Sequence, residues 1–224
     1  MSQSDNRNKG FKTNRVKALA DGIFGIAMTL LVLDVKESAG QGQEFWEQFQ
    51  PIAEKLFPYI VSFLILGIYW TGHQSQFYFI KYTTRMHLWL NVILLMFVAL
   101  IPFSAALLSE KKLSQFSVLI YGSNVLAVLV AFYAQWWYAT HNHRLIDPKL
   151  DKRLIADVKK RMLIQMVAFL VALAASYLST RVSIILFLLA QLSYVFLTTQ
   201  TPTGAPADVE KSVSRKQTEN EKGD

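Results

Sequence analysis

Asp21, His73, Asn91 and Asn124 each interrupt a long apolar stretch of this chain, and Arg15 and Trp70 stand close by two of them. A polar side chain in hydrocarbon is costly unless it meets water or another polar group, so each marks a contact between helices or a path for an ion. Arg15, Asp21, Trp70, His73 and Asn91 all fall toward the same end of their stretches. They are therefore expected to share one depth and to form a hydrogen-bonded cluster whose main role is locking helices together.

The first apolar stretch carries a second pattern. Ile26, Leu30 and Leu33 recur at i, i+4 and i+7 and share one helix face, with Thr29 beside them. Ala18, Gly22 and Gly25 form a neighbouring stripe of small residues suited to close helix contact. An apolar stripe on one membrane helix is most often packing, with a pore lining as the alternative. Asp21 and Asp34 bracket the stripe, and carboxylates at a pore mouth concentrate cations.

Enzymatic chemistry finds little support. The chain has no cysteine, which removes disulfides, thiolate metal sites and cysteine nucleophiles together. No glycine-rich phosphate loop, zinc-ligand pair or nucleophile elbow is present, so no cofactor or metal is expected. His141-Asn142-His143 resembles a nuclease fragment but lacks supporting ligands and reads as two histidines at a membrane surface. The Thr-Val-Gly-Tyr-Gly filter is absent, as is a helix of regularly spaced arginines. The net charge of +7 reads as membrane orientation rather than nucleic-acid binding, and no nucleic-acid partner is expected.

The elements that must position these residues are long helices. Of the 224 residues 52% are hydrophobic and 17% charged, gathered into apolar runs with short charged connectors. Six spanning helices are read: Arg15 to Val35, Phe57 to Phe79, His87 to Leu108, Phe116 to Tyr138, Met162 to Leu178 and Val182 to Leu197. The last two form a tight hairpin across Ser179-Thr180-Arg181. With the N-terminus inside, 18 of the 23 Lys and Arg fall on inner segments, so both termini are expected in the cytoplasm. This gives an all-α integral membrane protein with a cytoplasmic segment at 1–14, a six-helix domain at 15–198 and a disordered tail at 199–224. Phe45, Trp46, Phe49, Ile52 and Leu56 have helical spacing, and their segment is expected to lie on the outer surface. The basic connector from His141 to Arg161 is expected to contact anionic lipid.

The run Arg15-Val-Lys-Ala-Leu19-Ala20-Asp21 resembles the Arg-x-x-x-Phe-Ser-Asp signature of the transmembrane-protein-175 family, the endolysosomal potassium channel and its prokaryotic relatives. Ser62 to His73 is similar to that family's second helix, and Leu88 to Ser104 to its third. Leu19 and Ala20 depart from the usual Phe and Ser. The resemblance implies a homotetramer with four first helices lining a central pore, in the plasma membrane of a prokaryote, and potassium as the permeant ion. It implies a constriction at Ile26, Leu30 and Leu33, a layer at Thr29 linked to potassium preference, and a network of Arg15, Asp21, Trp70 and His73 holding the pore helix. An apolar ring dewets and blocks, so a closed state at Ile26 and a weaker preference for potassium over sodium than in a carbonyl filter are expected. A secondary transporter and a non-conducting membrane scaffold are the alternatives. The first would place ionisable groups near the midplane and often break its helices there.

Overall fold

The computed structural model describes residues 13–36, 45–110, 114–148 and 150–199. The segments 1–12 and 200–224, which hold most of the expected N-terminal segment and tail, lie outside the described residues. The elements run α1 (Thr13–Lys36), α2 (Phe45–Phe79), α3 (Arg85–Ala99), α4 (Ile101–Glu110), α5 (Gln115–Thr140), α6 (Lys152–Ala175) and α7 (Thr180–Thr199), with a 3₁₀ turn at His141–His143.

Thr13–Leu33, Lys55–Phe79, Arg85–Leu108 and Gln115–His143 are long and apolar enough to cross a membrane. The α6–α7 pair forms the expected hairpin, but α6 begins at Lys152, ten residues before the predicted start. Asp151 caps it, its carboxylate accepting from the Arg153 N–H at 2.8 Å, so the basic connector becomes the first turns of a helix. The third predicted span is divided at Leu100. Pro102 lacks the N–H that would continue the ladder, and its ring crowds the preceding turn. The regular helix is interrupted there and resumes as α4.

The amphipathic segment before the second span is not a separate surface helix. It continues into α2 as one element of 35 residues. At 1.5 Å per residue α2 is about 50 Å long, well beyond the roughly 30 Å of hydrocarbon. Its first turns therefore project out of the bilayer.

The central helix of the subunit is α5. In its apolar window 56% of residues are buried, against 28% in α1. The main core gathers Phe24, Leu66, Leu94, Val98, Val125 and Phe132 from α1, α2, α3 and α5. Gly122 of α5 lies where a Cβ would collide with the Phe187 ring and with Leu173, so glycine lets α6 and α7 close onto α5. A second, smaller core of Ile80, Ala139, Leu145, Ile146 and Ile155 lies beyond the ends of α2 and α5. There Ile80 bridges Ile146, the Lys81 N–H donates to Leu145 O at 3.0 Å, and the Lys81 ammonium pairs with Asp147 at 2.6 Å.

Candidate functional site: the free face of the first helix

The α1 helix has two unlike faces. Val16, Ala20, Phe24, Ala27 and Leu31 are buried against α2 and α3, at spacings of three or four residues that put them on one side. Leu19, Ile26, Leu30 and Leu33 point away from the rest of the subunit, and Ile26 is 60% exposed. Thr29 is exposed on the same side, and its hydroxyl donates to Ile26 O at 2.8 Å. That bond uses the hydroxyl proton, leaving the oxygen lone pairs turned outward as acceptors.

Apolar exposure alone does not separate this face from lipid-facing surfaces such as those of Phe57 and Leu64. Two glycines also lie on it, with open space beside them like that at Gly67 of α2. A Cβ added at Gly22 or Gly25 would meet nothing within 4 Å. Neither glycine is thus required by packing inside the subunit, although each weakens a helix relative to alanine. Asp21 is exposed too, but it lies to the α2 side of this face. An apolar groove of about 310 Å³ between α1 and α3 runs beside Ile26 and Leu30, with Val92 and Met96 on its far wall.

The five residues expected to cluster divide into two networks, with one residue apart. In the first, the Trp70 indole N–H donates to Asp21 Oδ1 at 2.8 Å and the Gln74 amide donates to the same oxygen at 2.5 Å. Trp70 and Gln74 lie one turn apart on α2, so both reach one carboxylate on α1. In the second, His73 Nε2 lies 2.8 Å from Asn91 Oδ1, which also accepts from Gln135 Nε2 at 3.2 Å. This network is buried and joins α2, α3 and α5. Arg15 is exposed and has no hydrogen-bond or ion-pair partner among the described residues. Asn124 donates to the Ser104 hydroxyl at 3.1 Å and ties α5 to α4 instead.

Gln74 and Gln135 were not picked out from sequence. The signal for Gln74 was its i+4 spacing from Trp70; for Gln135 it was an amide within an apolar run. The departure at Ala20 also finds its setting, because that side chain is fully buried in the core. Among the described residues no group of three or more His, Cys, Asp or Glu is placed to hold a metal.

The helices and their buried polar ties define an all-α, multi-pass membrane protein. The TMEM175 family, described as endosomal/lysosomal potassium channel TMEM175, matches residues 15–102, the stretch holding α1, α2, α3 and both networks. A potassium channel of Streptomyces collinus is 29% identical over 197 residues, covering 86% of this chain and 96% of that protein. A potassium channel of Chamaesiphon minutus is 28% identical over 186 residues, covering 80% and 92%. The crystal structure of a lysosomal potassium-selective channel TMEM175 homolog from Chamaesiphon minutus superposes with a TM-score of 0.71 at 24% identity, covering 82% of this chain and 96% of that one. The chain is thus similar in sequence, over most of its length, to named potassium channels, and similar in fold to a TMEM175 homolog.

Proposed function

We propose that four copies of this chain assemble around a central axis lined by α1 and conduct potassium, with a modest preference over sodium. The observation that carries this reading is the free face of α1. It sets Ile26, Thr29, Leu30 and Leu33 outward, next to an exposed carboxylate and two glycines that the subunit's own packing does not require. Relatives covering most of the chain are named potassium channels, which supports the ion.

In this reading each subunit spans six times, α6 and α7 supplying the last two spans, in a prokaryotic plasma membrane with both termini in the cytoplasm. Residues 15–198 form the membrane domain, flanked by the segment 1–14 and the tail 199–224. Ile26, Leu30 and Leu33 form the constriction. Their side chains cannot replace an ion's hydration shell, so the narrow state is dewetted and closed. Opening spreads or rotates the four α1 helices until cations pass with part of their water. Four Thr29 oxygens offer ligands one turn from Ile26 and favour the ion that gives up water more readily. The Asp21–Trp70–Gln74 contacts hold α1 against α2, the His73–Asn91–Gln135 contacts tie α2 to α3 and α5, and Arg15 acts from outside both.

The test is potassium flux into vesicles holding purified protein, paired with the mass of the detergent particle. Potassium flux from a particle of four chains supports the reading. A monomeric or dimeric particle, or saturable flux driven by a proton gradient, would overturn it.

A further inference from the structure

Buried polar atoms without partners concentrate at the end of the bundle that carries the 80–84 turn. Among the described residues there are ten such side-chain atoms, and six belong to His73, Gln76, His87, Gln135 and Trp136. All five residues are at least 95% buried, on α2, at the start of α3 and near the end of α5. Their hydrogen-bonding types do not balance. Asn91 Oδ1 only accepts, so His73 carries its proton on Nε2 to bond it, and Nδ1 of the neutral ring is left as an acceptor. Gln76 and Gln135 already donate, to Phe132 O at 3.3 Å and to Asn91 respectively, and their Oε1 atoms remain acceptors. Trp136 Nε1 is a donor, and neutral His87 adds one donor and one acceptor. Acceptors thus outnumber donors four to two among the six atoms. None of the six atoms has a protein partner within hydrogen-bond distance.

Water corrects such an imbalance, because each molecule brings two donors and bridges several buried groups at once. We propose that the ends of α2, α3 and α5 enclose a hydrated pocket whose water is held by His73, Gln76, His87 and Gln135. The pocket is closed toward α1 by aromatic rings. Phe24 and Phe132 lie 6.1 and 6.3 Å from the His73 imidazole, and Phe77 lies against both His73 and His87 at 4.5 and 5.5 Å. It is therefore separate from the free face of α1, and its ligand is water whether or not the chain conducts. His87 is the third residue of α3 and lies at the end of the bundle, its ring fully buried. Through this pocket two fully buried imidazoles stay in proton exchange with solvent.

The chain has four histidines, and His141 and His143 lie in the turn after α5, where His141 is exposed. The experiment is water-edited solid-state NMR on the full chain in lipid vesicles with ¹⁵N-labelled histidine, His141 serving as the wetted reference. Early polarisation transfer from water to the His73 and His87 rings is expected. In His87→Phe and, separately, in Gln135→Leu, the transfer to His73 should be lost. Transfer confined to His141 and His143 in the unaltered protein would overturn the proposal. So would transfer to His73 that survives in both variants.

Discussion

The Trp70 indole N–H donates to the Asp21 carboxylate at 2.8 Å, joining α2 to α1. Hydrogen bonds to charged groups contribute more than neutral ones, but partial exposure of both partners reduces the gain. Trp70→Phe keeps the ring and removes the donor, leaving Asp21 with Gln74. Thermal unfolding in detergent should register a loss of about 1 kcal/mol. Adding Gln74→Leu should cost more than the sum of the two single changes, because the carboxylate is then left bare.

In the proposed pore, Ile26 and Thr29 take two roles on one turn of α1. Ile26→Ala widens an apolar ring and should raise potassium conductance in single-channel recordings. An unchanged conductance would place the constriction elsewhere.

Thr29→Ala removes an oxygen acceptor with little change in ring width. The potassium-to-sodium permeability ratio, read from the reversal potential under bi-ionic conditions, should fall toward one. A ratio equal to that of the unaltered protein would remove the threonine layer from selection.

Gly122 should tolerate almost nothing. A Cβ there meets the Phe187 ring and Leu173 from two different helices, so relief requires both to shift. Gly122→Ala should destabilise by about 1–3 kcal/mol, the usual cost of overpacking a filled core. Phe187→Leu in the same chain should recover part of that loss in a thermal melt.

The Gln165 amide donates to Gln191 Oε1 at 2.7 Å across the hairpin of α6 and α7. Changing only one partner to leucine strands the other amide in an apolar setting and should cost about 1–2 kcal/mol. The double leucine variant should recover most of it, because two apolar groups facing each other need no partner. A double-mutant cycle on detergent-solubilised protein reads this directly.

Long apolar runs disclosed the membrane helices because burial in lipid demands them wherever the partners lie. The two faces of α1 were legible for the same reason, the spacing of Ile26, Leu30 and Leu33 fixing their common side whatever packs behind. Contacts between helices were less legible. Asp21, Trp70, His73 and Asn91 were identified as polar residues needing partners, yet their spacing along the chain did not reveal that they pair as two networks or that Arg15 stands apart. Gln74 and Gln135 escaped notice because glutamine is common on any helix, and only the meeting of three helices gives those amides a purpose. The join of the outer segment to α2 was also hidden. Its amphipathic pattern looks the same whether the helix lies flat or runs on into the span.

The small core beyond the ends of α2 and α5 has a mechanical consequence. The Ile80–Ile146 bridge and the Lys81–Asp147 pair stitch the 80–84 turn to the segment after α5, which the Arg144 guanidinium, 4.6 Å over the Tyr138 ring, holds back against α5. Two connections that would serve as independent hinges become one stiff plate carrying the ends of α2, α3, α5 and α6.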